Sequence, residues 1–339
     1  MLLSICIPTY ERTACLNNCL NSIYIAKKNF NFNFEVCISD NCSSEDVSSI
    51  IKYFKKKINL KYKRQKKNFG LAKNILSAVS MAKGKYSWIV GNDELLLPDT
   101  FLKLDKYLNK KNIDFFFINS FHLDAKYTLN GFKRFNTYQL PKKMEKFSDK
   151  SPDSSLKFFD LINPDVAFDF LTGMYLCIFN TSKWKNNLHV VNKKNIKDVR
   201  TYSTFDNTCV HVKVFAKAFA KSQAFFVSNP LSVNLFGVRD WWVKLYSFVD
   251  AVRIPEVVDE YRKNGLPFIQ YLLCKNYALR NFIPCLVKIL LNKKESGYAY
   301  VSFKKHIVYN LLFPNVYLSF FYFIKRFFIK KIKFFLIKL

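Results

Sequence analysis

The chain has 339 residues, enough for one large or two moderate domains, and half of them are hydrophobic, which excludes global disorder. Fifty-four Lys and Arg against 25 Asp and Glu leave a formal charge of +29, the mark of an anionic partner: nucleic acid, acidic lipid or a phosphorylated substrate. Nine cysteines, an odd number without paired CxxC spacing, argue against a disulfide frame or a zinc site and for reduced thiols in a cytosolic compartment.

Met1 to Pro8 lacks a basic leader and a small-residue cleavage site, and reads as a first strand, Leu2 to Ile7. Pro8-Thr9-Tyr10-Glu11-Arg12 turns it into a helix whose Leu16, Leu20 and Ile23 keep helical spacing. Phe34 to Ser39 is a second strand ending at Asp40, after which Ser43 and Asp46 resemble a capping box for a helix bearing Val47, Ile50, Ile51 and Phe54. Leu60 to Lys63 is a short third strand, and Asn68-Phe69-Gly70 feeds a helix with Leu71, Ile75, Val79 and Ala82 on one side. Tyr86 to Val90, bounded by Gly84 and Gly91, is a fourth strand with the pattern of burial on both faces. It ends in Asn92-Asp93-Glu94. Such acids at the C-terminal end of a buried strand suit a cation carrying phosphates, although the same residues also read as a polar turn before a helix opened by Pro98. Strands alternating with helices of this length predict βαβ units and a parallel sheet.

Four segments in order, Ser4 to Arg12, Val36 to Ser43, Asn68 to Asn74 and Gly91 to Glu94, resemble the motifs of family 2 glycosyltransferases. The resemblance is strong over residues 1–120, weaker to about residue 245, and similar to bacterial surface-polysaccharide transferases. It implies an α/β fold of GT-A type, a mixed, mainly parallel sheet flanked by helices, that moves a sugar from a nucleotide donor, usually with inversion and a divalent metal, Mg or Mn. It places Pro8, Thr9, Tyr10 and Glu11 in the turn that receives the nucleoside, and Asp40 on base or ribose. Arg64 and Lys73 are candidate contacts to base or diphosphate and equally read as solvated charges. Where the family has an Asp-x-Asp arrangement this chain has Asn92-Asp93-Glu94. Glu94 then takes the metal-ligand position, Asp93 faces the donor, and Asn92 keeps a hydrogen-bonding group for sugar or ribose.

An inverting transfer also needs a general base for the acceptor hydroxyl. After a strand from Phe115 to Phe121 and a polar insertion, Leu171 to Asn180 resembles the acceptor-side strand, with Trp184 in a short helix. Downstream, Thr204 to His211 is the one later cluster joining an acid and a histidine; Asp206 is the expected base, with a helix cap as its other reading, and His211 is held in reserve. Arg239-Asp240-Trp241-Trp242 offers a charge pair and stacking faces for an acceptor.

From about Asp250 the pattern becomes helical, and between Tyr261 and Leu339 15 Lys and Arg meet a single acid, Glu295. No apolar run there reaches the roughly 18 residues of a spanning helix. Phe321, Ile324, Phe328, Ile332, Phe335 and Leu339 instead form an apolar stripe opposite Arg326, Lys330 and Lys333, the composition of a helix lying in an anionic membrane interface, or of one packed on the protein. The expected organisation is a catalytic domain over 1–249, with a nucleotide-sugar half over 1–120 and an acceptor half over 121–249, followed by a helical, basic, membrane-associating region over 250–339. The expected protein is a transferase peripheral on the cytoplasmic face of the inner membrane, using a UDP-sugar and a lipid-linked or oligosaccharide acceptor and no nucleic acid. The alternative is a non-catalytic basic membrane- or polyanion-binding protein derived from such a fold.

Overall fold

The computed structural model describes residues 1–129, 134–237 and 240–336. Strands β1 (Leu3–Thr9), β2 (Phe34–Asp40), β3 (Leu60–Arg64) and β4 (Tyr86–Ile89) run parallel in the order β3-β2-β1-β4. Helices α1 (Thr13–Asn29), α2 (Ser48–Lys55) and α3 (Leu71–Ser80) connect them. The helical spacing read from sequence is the spacing that packs: Leu16, Leu20, Ile23, Ile50, Ile51 and Phe54 are buried on one face of the sheet, Ile75, Val79 and Ala82 on the other. Trp88 shows why β4 carries no polar face. Its ring is buried and its indole nitrogen donates to the Tyr175 carbonyl at 2.7 Å, so the one polar atom is satisfied inside the core.

Beyond β4 the sheet becomes mixed. β5 (Glu94–Leu96), α4 (Thr100–Leu108), β6 (Phe115–Asp124), β7 (Glu145–Lys146), β8 (Ser154–Lys157), β9 (Cys177–Asn180) and α5 (Thr181–Asn186) follow, then α6 (Phe205–Thr208), α7 (Val210–Ala218) and the 14-residue β10 (Gln223–Phe236). The full order is β3-β2-β1-β4-β9-β6-β10-β5, with β9 antiparallel to both β4 and β6, and β10 parallel to β6. This is the mixed, mainly parallel sheet of a GT-A fold. Three local expectations are corrected. Only Cys177–Asn180 of the segment 171–180 is strand, because Phe170 and Leu171 adopt left-handed φ values of 53° and 69° and force a turn before it. Glu94 begins an edge strand paired with Asn234 of β10 instead of a turn into a helix. Ser43 caps nothing in α2: its hydroxyl donates to Asp40, while Asp46 accepts from Ser48 N at 2.8 Å.

Helices α8 (Asp240–Phe248), α9 (Ile254–Lys263), α10 (Phe268–Ala278), α11 (Phe282–Leu291) and α12 (Pro314–Leu336) complete the chain. The expected boundary at 249/250 falls inside a continuous helical run, α8 passing through a π-turn at Val249–Arg253 into α9, and it divides no core. Val257, Val258, Tyr261, Leu279 and Phe282 are buried in the same cluster as Phe115, Phe158 and Phe179 of the sheet layer. Tyr261 donates to the Phe170 carbonyl at 3.1 Å, and Gln270 donates to the carbonyls of Phe159 and Ile162 at 2.6 and 3.0 Å. All nine cysteines are free, and eight of them are buried.

The helical layer is locked by Glu256, a buried carboxylate bonded by Arg253, Lys305 and His306. Burial alone would raise its pKa, but the hydrogen bond from His306 and the charges of Arg253 and Lys305 outweigh it and hold it at about 2 against an ordinary 4.5. A depressed folded pKa stabilises the fold above the unfolded value and is lost as pH falls through the folded one. Unfolding free energy should therefore drop by on the order of 3 kcal/mol between pH 5 and 2, and Glu256→Gln should flatten that part of the profile in urea titrations.

Candidate functional site

The C-terminal ends of β1, β2, β3 and β4 converge on Thr9. Its carbonyl accepts from Asn41 N at 2.9 Å and from Asn74 Nδ2 at 3.0 Å, and its hydroxyl accepts from Asn92 Nδ2 at 2.9 Å. Pro8 is buried beside it in β1, and Tyr10 is half-exposed at the rim. Glu11 and Arg12 both adopt left-handed backbone, φ 55° and 60°, a strain that a non-glycine pair tolerates only when held. The holding groups are visible. The Glu11 carboxylate accepts from Ser44 N, Ser44 Oγ and Glu45 N, and Glu45 accepts in return from Arg12 N and Thr13 N at the start of α1.

Asp40 lies opposite Thr9 in the β1–β2 register and Arg64 opposite Asp40 in the next pair. The Asp40 carboxylate accepts from Ser43 N at 2.9 Å, Ser43 Oγ at 2.6 Å and Tyr62 Oη at 2.8 Å, so it organises the loop at the same time as it faces the strand ends. Arg64 donates to the Ser43 carbonyl at 2.7 Å, with its Nε 4.0 Å from Asp40. Lys73 stands 4.4 Å over the Phe69 ring, one residue before Asn74. The structure thus brings Pro8, Thr9, Tyr10, Glu11, Asp40, Arg64, Lys73, Asn92 and Asp93 to one end of the sheet. Asn74 and Arg12 belong with them and were quoted in the motifs without being assigned a role. Asn74 is buried with its Oδ1 unpartnered.

The Asn92-Asp93-Glu94 turn distributes its three side chains differently from expectation. Asn92 turns inward to Thr9 and to the Glu11 carbonyl, knitting two loops together. Glu94 turns back on its own turn: its carboxylate accepts from Gly91 N and, at 3.4 Å, from Asn234 Nδ2. Asp93 reaches the cavity, 3.6 Å from Arg12 Nη1. A Cβ at Gly91 would lie 2.5 Å from Glu94 Oε2 and 2.7 Å from Asp93 Oδ1, so a larger residue there would displace these two carboxylates. No group of three metal-ligating side chains occurs among the described residues. Of the turn's side chains Asp93 alone faces the cavity, which corrects the expectation that Glu94 takes the metal-ligand position; a divalent ion there would have to bring most of its oxygens with a diphosphate, and Glu94 would reach it only by releasing Gly91 N.

Asp93 opens on a cavity of about 410 Å³ between the sheet and the C-terminal helices. Phe147 and Phe168 stack in its wall with centroids 4.8 Å apart; Asp250 and Arg280 come from the helical region. Asp169 lines the same cavity. Its carboxylate accepts from Leu171 N at 3.1 Å, Thr172 Oγ1 at 2.9 Å and Gly173 N at 2.7 Å, holding the strained Phe170-Leu171 turn, and burial raises its pKa despite those donors. His122 faces the cavity from β6, its pKa lowered by burial against an opposing hydrogen bond to Asn234. Neither Asp169 nor His122 stood out in sequence, because the turn that aims Asp169 is made by Phe and Leu, which carry no left-handed signal.

Asp206 and His211 lie elsewhere. Asp206 accepts from Asn192 N at 2.8 Å and Lys213 Nζ at 2.9 Å and lines a separate cavity of about 790 Å³ whose charges, Lys275 with Asp259 among them, are paired with one another. His211 is buried in the core with Nε2 3.0 Å from the Thr172 carbonyl, and burial lowers its pKa to about 4. It is neutral and enclosed. The expectation that these two residues share a site with Asp93 is thereby corrected. Arg239 lies outside the described residues; Asp240 and Trp241 begin α8, with side chains outside the description.

Residues 4–163 match the model of glycosyl transferase family 2. Over 113 residues the chain is 41% identical to the abequosyltransferase RfbV of Salmonella typhimurium, a match covering 33% of this chain and 34% of that protein. A poly(ribitol-phosphate) beta-N-acetylglucosaminyltransferase, TarS of Staphylococcus aureus, is 28% identical over 118 residues, 34% of this chain and 20% of its own length. The chain thus spans about a third or less of these relatives. The S. aureus TarS 1–349 structure in complex with UDP superposes with a TM-score of 0.55 at 16% identity over 84% of this chain and 72% of that one. A Pyrobaculum calidifontis mannosyltransferase in complex with GDP-Man and Mn2+ gives 0.50 at 12% identity over 94% and 82%. Both likenesses are of fold.

The Asp206–Lys213 pair yields a stability test. Asp206→Asn leaves the mostly buried Lys213 ammonium without its carboxylate and should cost about 1–3 kcal/mol in urea unfolding. An unchanged midpoint would show that the pair is not structural.

Proposed function

We propose that this chain, whose residues 4–163 match the model of glycosyl transferase family 2, transfers a sugar from a nucleotide-sugar donor to an acceptor hydroxyl with inversion at the anomeric carbon. A UDP-sugar is the preferred donor and a lipid-linked surface glycan the acceptor. The observation that carries the reading is the meeting of Asp93, from the donor half, with Asp169, from the acceptor half, in one cavity. The acceptor hydroxyl oxygen forms the bond to the anomeric carbon, the bond to the diphosphate oxygen breaks, and the hydroxyl proton passes to Asp169. A carboxylate whose pKa is raised by burial is a better proton acceptor than a solvated one. The stacked Phe147 and Phe168 faces support a sugar ring in the same cavity.

Asp93, with Glu94 beside it, would hold Mg or Mn, which when bound neutralises charge developing on the diphosphate. A second reading, transfer without metal, is favoured by Arg12, whose guanidinium lies against Asp93 where such a cation would sit. The two readings differ in outcome. In the first, Asp93→Asn removes the thermal stabilisation that a UDP-sugar gains from added Mn2+. In the second, chelator leaves turnover unchanged and Arg12→Ala abolishes it.

For the base, Asp169→Asn preserves size but cannot take a proton, and should slow transfer by on the order of 10²-fold or more with donor affinity nearly unchanged. Normal transfer by Asp169→Asn together with a slow Asp206→Asn would return the base to Asp206. Absence of nucleoside diphosphate release from any nucleotide-sugar, with binding to polyanions retained, would favour the non-catalytic alternative. The basic C-terminal helix supports a further part of the reading, that the protein works at the cytoplasmic leaflet where lipid-linked acceptors reside.

A further inference from the structure

The C-terminal region leaves an unusual amount of apolar surface uncovered. The segment 303–312 and the first part of α12, Pro314–Lys325, meet at 93°. The inside of the corner is fastened. Phe313 and Val316 are buried, Asn315 N and Nδ2 donate to Asn276 at 2.8 Å, Asn310 Nδ2 donates to the His306 carbonyl at 2.7 Å, and Ile283 N donates to Ser319 Oγ at 3.2 Å. The outside is not. Leu312 is 84% exposed and Phe303 71%, and on α10, which packs against α12, Ile269 and Leu273 are 68% and 67% exposed. Bonds on the inner side hold these side chains out, so they cannot be buried by a small local adjustment.

We propose that this corner, with the exposed side of α10, is a docking surface for an anionic lipid bilayer, and that it binds whether or not the tail beyond it does. The proposal deepens the membrane reading above and rests on it. Two features favour a bilayer over a protein partner. Residues 296–325, which form the corner without the tail, contain Lys304, Lys305 and Lys325 and no Asp or Glu; Lys305 is bound to Glu256, and the remaining one-signed charge complements acidic headgroups. The exposed residues mix Leu and Ile with ring side chains such as Phe303, Tyr309 and Tyr317, the composition of elements lying at the depth where headgroups meet chains. No single helix among the described residues is long and apolar enough to cross a membrane; the two helices of this corner reach that length and composition only together, across their 93° bend, and the proposal takes them as lying in the interface.

The test compares three full-length forms and one truncation on phosphatidylcholine vesicles with and without phosphatidylglycerol. Leu311→Glu/Leu312→Glu, and separately Phe303→Glu, should weaken co-sedimentation with the acidic vesicles by about ten-fold or more, while release of nucleoside diphosphate from the donor stays at the unmodified level. A chain lacking residues 326–339 should retain measurable binding. If both surface variants bind like the unmodified chain and the truncation does not bind, the tail alone is the anchor and the proposal fails. If the unmodified chain is a dimer without lipid and the variants are monomers, the surface belongs to a second copy and the proposal fails. If the unmodified chain ignores acidic vesicles but turns over donor, the membrane reading falls together with this surface, and the transferase reading stands.

Discussion

The architecture of the site depends on Thr9. It closes β1, is buried, and offers one carbonyl and one hydroxyl to three asparagines from three different connections: Asn41 after β2, Asn74 in α3 and Asn92 after β4. In a parallel sheet the ladder fixes the register of the strand ends, but the loops beyond them are connected to one another only through helices, so the ladder does not hold the loops together. Side-chain amides do so here, because each can bridge a backbone group on a neighbouring loop at hydrogen-bond distance. The turn at Gly91 is then positioned from two directions, by Asn92 toward Thr9 and by Glu94 toward Asn234 of the edge-strand pairing. Asp93 between them has one direction left, the cavity.

The carboxylates of this chain are sorted by what surrounds them and not by the motif that contains them. Glu256 is encircled by cations and its pKa is driven down; Asp169 accepts from neutral donors at the cavity wall and burial drives its pKa up. The first arrangement stabilises an ion and suits structure. The second keeps a carboxylate reactive toward a proton while fixing its position, which suits general base work. Asp206 is held in an ion pair, with Lys213 across it, Asn192 N donating to Oδ1 and Asn195 Nδ2 to Oδ2. An acid immediately before a helix gives no hint of which kind it is.

The parallel half was legible because its information is local. Leu16, Leu20 and Ile23 keep helical spacing, Tyr86 to Ile89 is bounded by glycines, and the strand-end motifs are contiguous. What was not legible is long-range. β10 is a strand through pairing with β5, β6 and β8, partners as far away in sequence as Glu94 is from Asn234. The left-handed Phe170 and Leu171 are imposed by Asp169 and by packing, against the preference of both residues. The charged C-terminal composition also hid the fact that Val257, Tyr261 and Phe282 complete the central core.

The helical region that carries the exposed corner also sends Asp250, from the turn between α8 and α9, and Arg280, from the connection between α10 and α11, into the cavity with Asp93 and Asp169. Its helices are joined to the sheet through buried side chains and through hydrogen bonds such as Tyr261 to Phe170 and Gln270 to Phe159. Close-packed interiors transmit displacement because they have little free volume to absorb it. A force applied where α12 meets α10 and α11 therefore reaches the acceptor wall through elements in direct contact. The basic region accordingly supplies part of the cavity wall, and its removal as a unit would open the core it helps to close.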